Sequence, residues 1–196
     1  MPIPHPSRLA TRFTFTLALL GAPLASLTGA ALAQSQVAPE TPAVGDIPDS
    51  QAFVRYANPS GGYSLEVPEG WARTEQGAKV SFVSKLGAVD VQVNPASSAP
   101  TLATLRASVL KRFGPSDPAF KVTALKSVSL PAGPALLAQF RTTGAPNAVT
   151  GKASALENAL YVLFKGERQL ELRFSALEGS DNADAWTRMA RALWWR

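Results

Sequence analysis

The sequence predicts an α+β fold, an antiparallel β-sheet flanked by helices. Three observations carry that expectation. Most apolar stretches alternate with a period of two, which puts one face in a core and the other in water. Short turns rich in Gly and Pro separate them, which suits hairpins better than crossovers. Two stretches, residues 98–113 and 181–196, switch to a period of three to four. The resulting order of strands, helix, strands, helix argues against a doubly wound parallel sheet.

Phe53, Val54, Arg55 and Tyr56 form a first short strand, ended by the turn signal Asn58-Pro59-Ser60-Gly61-Gly62. Tyr63, Leu65 and Val67 alternate with Ser64 and Glu66 until Pro68-Glu69-Gly70 breaks the strand. Trp71 opens a further extended piece and packs at the sheet edge. Residues 80–83 and the alternation Val89, Val91, Val93 make two more strands, with Gly87 marking a hairpin between them. In residues 98–113, Leu102, Leu105, Val109, Leu110 and Phe113 fall on one face of a helix. Ser98 or Thr101 caps its start and Gly114-Pro115 stops it. Residues 121–130 and 135–142 read as strands, the second with Leu136, Ala138 and Phe140 on one face. Residues 160–164 are apolar on both faces, so that strand lies inside the sheet. Gly166-Glu167 turns the chain into Leu170, Leu172 and Phe174, alternating with Glu171 and Arg173.

The last stretch reads as a helix over residues 181–196, with Asp181 as N-cap and Asp184 near its positive end. Trp186, Met189, Ala190, Leu193 and Trp194 form its apolar stripe. Trp195 lies about 100° further round, so a helix that buries Trp194 exposes Trp195. Flanked by Arg191 and Arg196, Trp195 is the candidate contact for a partner or a membrane surface.

Residues 1–33 read as a secretory signal peptide. Arg8 and Arg12 precede an apolar stretch, and Ala31-Leu32-Ala33 is an A-x-A pattern with cleavage expected after Ala33. The two arginines are not adjacent, which excludes a twin-arginine signal, and no Cys follows the cleavage point to carry a lipid. Removing 33 of the 196 residues leaves 163, enough to bury roughly 70% of the unfolded surface in one domain. The expected product is periplasmic or secreted, without a transmembrane anchor. Residues 34–52, rich in Pro and Ala, read as a flexible tether, and residues 53–196 as the folded domain.

The chain has no Cys, so neither disulfides nor thiol chemistry enter. Its one His, His5, lies in the leader. The exported part therefore lacks the usual general base and the best transition-metal ligands. No cofactor, metal site or catalytic residue is expected. Without Arg8 and Arg12, the 19 basic residues become 17 against 14 acidic, too mild and too dispersed for a nucleic-acid binder. Ser81 or Ser84 with Lys85 offers a Ser-Lys pair only formally. Glu66, Glu69, Glu167 and Glu171 are the acids available for a carboxylate-dependent enzyme, which needs two of them converging in one cleft. Gly151-Lys152 lacks the glycines and hydroxyl of a phosphate loop.

Two segments carry a family resemblance. One is NPSGGYSLEVPEGW (residues 58–71), an aromatic-led strand between a Gly turn and Pro-x-Gly-Trp. The other is LYVLFKGERQLELRFSAL (residues 160–177), followed by a terminal helix with Asp184 and Trp186. Together they resemble the PsbP-like group, whose fold is shared with DcrB-like bacterial envelope proteins, over residues 53–196. The resemblance implies an α-β-α sandwich and a non-catalytic accessory or binding role in the bacterial envelope, toward a protein or envelope component. Two alternatives follow from the residues. One is a carrier of a small apolar ligand or lipid, in a pocket lined by Phe82, Phe140 and Tyr161. The other is an enzyme acting on envelope glycans through the acids named above.

Overall fold

In the computed structural model, the described residues are 43–114, 116–147 and 149–196. The leader and residues 34–42 of the expected tether lie outside them. Among the described residues, ten strands form two antiparallel sheets, accompanied by two short helical segments. Strands β1 (Phe53–Asn58), β2 (Tyr63–Pro68) and β10 (Trp194–Trp195) make a three-stranded sheet in the order β1-β2-β10. The larger sheet has seven strands: β3 (Ala72–Gln76), β4 (Lys79–Val83), β5 (Gly87–Pro95), β6 (Lys121–Leu130), β7 (Gly133–Thr143), β8 (Ala155–Lys165) and β9 (Arg168–Leu177). Its spatial order is β3-β4-β5-β9-β8-β7-β6.

The period-two pattern builds the large sheet. Val89 and Val91 of β5 face the same way as Leu170, Leu172 and Phe174 of β9, and register pairs Val89 with Phe174 and Val91 with Leu172. These side chains meet Tyr63, Leu65 and Val67 of β2 and Met189, Ala190 and Leu193 from the C-terminal region in the main core. On the opposite face, Ala138, Phe140, Leu160 and Val162 meet Leu105, Val109 and Leu110 in a second core. The large sheet is thus covered on one face by the small sheet and the terminal helix, and on the other by the first helical segment.

That first segment is irregular. Helix α1 (Leu102–Thr104) starts with Thr101 and Thr104 capping each other reciprocally, then continues as a π turn (Leu105–Val109) and a 3₁₀ turn (Leu110–Arg112). In a regular helix Leu110 would stand at the margin of the apolar face, about 140° round from Leu105. Widening one turn so that the Leu110 amide bonds the Leu105 carbonyl brings all three inward.

Helix α2 (Ala183–Arg191) is shorter than the sequence period suggests. Asn182, not Asp181, precedes it, and its side chain is engaged elsewhere. Asn182 Oδ1 accepts from the Ile47 amide at 2.7 Å, and Asn182 Nδ2 donates to the Gly45 carbonyl at 3.0 Å. The Asp181 amide donates to Asp46 Oδ1 at 2.6 Å. Residues 43–52 are therefore docked on the domain, with Ile47 in the main core, and not free tether. No described helix is long and apolar enough to cross a membrane.

Candidate binding face

After Arg191 the chain leaves α2, and β10 pairs with the edge of β2. Trp194 lies opposite Ser64, Trp195 opposite Tyr63, and the Arg196 amide donates to the Gly62 carbonyl at 3.2 Å. Neighbouring strand residues point to opposite faces. Trp195 therefore turns inward with Tyr63 and is 3% exposed, whereas Trp194 turns outward and is 50% exposed. Helical geometry assigned the two indoles the other way round. Trp195 is corrected from surface contact to core anchor: its Nε1 donates to the Gly61 carbonyl at 3.3 Å, and the Arg168 guanidinium lies 5.6 Å from its ring.

The turn below it explains Asn58-Pro59-Ser60-Gly61-Gly62. Buried Asn58 accepts from the Gly61 amide through Oδ1 at 2.6 Å and donates to the Gly77 carbonyl at 2.8 Å. A Cβ on Gly61 would meet the Tyr63 ring at 2.3 Å, and Gly62 has φ +69° beside the Arg196 backbone. Both positions require glycine.

The outer face of the small sheet follows from its register. Phe53, Arg55 and Ala57 lie opposite Pro68, Glu66 and Ser64, and Trp194 lies beside Ser64. Arg55 Nη2 donates to Ser64 Oγ at 2.8 Å. Arg188 reaches over from α2, donates through Nε to Glu66 Oε2 at 2.9 Å, and covers the Phe53 ring at 4.2 Å. Arg196 places its guanidinium 5.8 Å from the Trp194 ring. Arg168 bonds the Arg196 carbonyl at the same corner. Of the three residues that sequence reasoning singled out, Arg196 belongs to this face, Trp195 underlies it, and Arg191 is exposed at the end of α2 beside a groove.

That groove, about 390 Å³, runs between α2 and strands β6–β8. Tyr161, Trp186 and Leu137 line it. Trp186 stacks on Phe174 with ring centroids 5.9 Å apart. Phe82 and Phe140 belong to the two separate cores on opposite faces of the large sheet, so only Tyr161 of the expected pocket lines this groove.

A second polar region lies under Arg112. Glu171, 5% exposed, accepts from Arg112, from Gln92 at 2.9 Å and from Gln169 at 2.9 Å. Next to it Asp90 accepts from Ser81 at 2.6 Å and from Arg173 Nε at 3.1 Å. Asp90 faces Arg173 across the strand pair, as in a charge ladder, whereas Glu171 lies opposite Gln92 and is held by Arg112 from the 3₁₀ turn. The four glutamates do not converge. Glu66 is on the small sheet, Glu69 in the turn after it, Glu167 in the β8–β9 turn, and Glu171 on the far face of the large sheet. Ser81 bonds Asp90, and Ser84 Oγ accepts from the Gly87 amide at 3.1 Å inside a turn.

No protein-family model and no curated protein matches the sequence. Solved structures do. Cyanobacterial PsbP (CyanoP) of Synechocystis sp. PCC 6803 superposes with a TM-score of 0.53 at 16% identity, covering 78% of this chain and 99% of that one. Lower scores come from the Ran-binding protein Mog1p of Saccharomyces cerevisiae (TM-score 0.49, 10% identity, 74% and 95% covered). LpqN of Mycobacterium tuberculosis, described as involved in cell envelope biogenesis, gives TM-score 0.41 at 14% identity, with 79% and 88% covered. At such identities the likeness concerns fold. The described part is mostly antiparallel strand with two short helical segments, lighter in helix than the expected sandwich. The chain has a PsbP-like fold.

Proposed function

We propose that the protein is an exported, non-catalytic accessory protein of the cell envelope that binds an envelope component through the face carrying Trp194 and Arg196. The observation that carries this reading is the pair of tryptophans. Trp195 fixes β10 from below, so Trp194 is held out on a strand that has little conformational freedom left to lose on binding. Ordered, half-exposed tryptophan beside arginine is the composition of a binding hot spot. Export rests on the leader read from residues 1–33. The dispersal of the acids and the engagement of Ser81 and Ser84 within the fold support a non-catalytic role.

The test is a photo-crosslinking residue placed at position 194, with position 83 as control, since Val83 is exposed elsewhere, on β4. An adduct with an envelope component from position 194 and not from 83 is expected. Equal adducts from both positions, or none from 194, refute the reading. Reproducible turnover by residues 34–196 on a hydrolase panel, abolished by one carboxylate or serine change, refutes the non-catalytic part.

The groove between α2 and β6–β8 favours a second reading, a carrier of an apolar ligand stacked against Tyr161 and Trp186. Native mass spectrometry of the purified protein tests it; a retained lipid lost in Trp186→Ala supports it.

A further inference from the structure

We infer that the outer face of the β1–β2–β10 sheet docks on an anionic phospholipid bilayer, with Trp194 at head-group level and Arg55, Arg188 and Arg196 against lipid phosphates. This rests on the envelope-binding reading and names the component.

Charge complementarity is the first argument. The face carries three guanidiniums, and a fourth, Arg168, stands behind its corner. Register places one carboxylate among them, Glu66, which Arg188 already holds. Four acids gather at the other end of α2. Asp46, Asp49, Asp181 and Asp184 line one hollow at the start of α2, while Arg188 and Arg191 occupy its last turn. The two ends of α2 therefore carry opposite charge, and a negative surface favours approach with the Arg188 end and the Trp194 corner forward.

The layout of the face favours a bilayer over a protein partner. Protein interfaces deplete charged residues other than arginine, acids among them, at their centres and keep polar groups on the rim. Here Arg55, Glu66 and Arg188 hold the centre, Phe53 is covered by a guanidinium, and the half-exposed indole sits on the edge strand β10. Indole rings combine an apolar body with a polar N–H and settle at membrane interfaces. Arginine forks suit phosphate oxygens.

The test is co-sedimentation of residues 34–196, which contain both cores, with phosphatidylcholine vesicles made with and without phosphatidylglycerol. Binding is expected with phosphatidylglycerol only, and high salt should release it. Arg55→Ala and Arg196→Ala should each weaken it about fivefold, the loss for one basic residue at an anionic surface. Arg55→Lys should restore it. Trp194→Ala should weaken it without altering its salt dependence. Lys121→Ala, on the far edge strand β6, should change it by less than about twofold, because its charge is remote and screened. Circular dichroism melts matching wild type show that each variant is folded. Equal binding to both vesicles, no binding, or equal losses from Lys121→Ala and Arg55→Ala overturn the inference. A protein adduct at position 194 with no vesicle binding rejects the bilayer and leaves the envelope-binding reading standing.

Discussion

Replacing the two adjacent tryptophans separately should give opposite results. Trp195 is 3% exposed, its indole N–H is bonded to Gly61, and a guanidinium lies over its ring. Truncating a buried Trp to Ala removes its transfer energy and leaves a cavity, about 3–5 kcal/mol. The cation–π contact adds about 0.5–1 kcal/mol. Trp195→Ala should therefore cost about 4 kcal/mol. With a urea m-value of about 2 kcal/mol/M, the midpoint falls by about 2 M. Trp194 is 50% exposed, and its strand pairing is backbone, so Trp194→Ala should cost under about 1 kcal/mol. Urea melts followed by far-UV circular dichroism measure both. Iodide quenching gives an independent check, since Trp194→Ala should remove the most accessible fluorescence and Trp195→Ala should not. If Trp194→Ala proved the more damaging change, the tail would be a helix, and the strand assignment with everything built on it would fail.

Other perturbations test separate parts of the account. Asn182→Ala strands the Ile47 amide and the Gly45 carbonyl, so it should cost about 1–3 kcal/mol and make residues 43–52 the first site of limited proteolysis. Glu167 has φ +58° in the β8–β9 turn, beside Gly166 at +54°; Glu167→Gly should raise stability by about 0.5–1 kcal/mol in a urea melt. The Asp117 carboxyl titrates below its ordinary value because the Thr143 hydroxyl, and then the Thr143 amide, donate to it. Its contribution is present above the ordinary carboxylate range and lost as pH falls through its own lower titration; an NMR titration should show the low midpoint, and Thr143→Val should move it up. Burial raises the phenol titrations of Tyr56, Tyr63 and Tyr161, so this part of the stability holds below about pH 10 and is lost as pH rises above it. Phenolate absorbance should appear late, together with unfolding.

The strands were legible because burial on one side writes itself into alternate residues. Val89, Val91 and Val93, and Leu170, Leu172 and Phe174, needed no other signal. Which strands share a sheet was not legible, since pairing between β2 and β10 joins residues far apart in sequence and leaves no local mark. The tail shows the competition most clearly. Leu193 and Trp194 fit a helical stripe, and no Gly or Pro stops the helix after Arg191. The open edge of β2 captures the tail instead, and a change from 100° to 180° per residue exchanges the roles of the two tryptophans. Residues 43–52 look like linker by composition, yet Ile47 meets Asn182 and Asp46 meets Asp181 across the fold. The Leu105, Val109, Leu110 spacing was the available sign of a widened turn. On the binding face, Arg196 could be named from sequence, whereas Arg55 and Arg188 required the register of β1 against β2 and the position of α2.

Amide NMR signals of residues 34–196, recorded while phosphatidylglycerol vesicles are added, locate the face that meets the bilayer. Broadening concentrated in residues 53–58, 63–66 and 194–196 is the result expected of docking through the small sheet. Broadening centred instead on Arg112, Gln92 and Arg173, or on the groove beside Trp186, would contradict it.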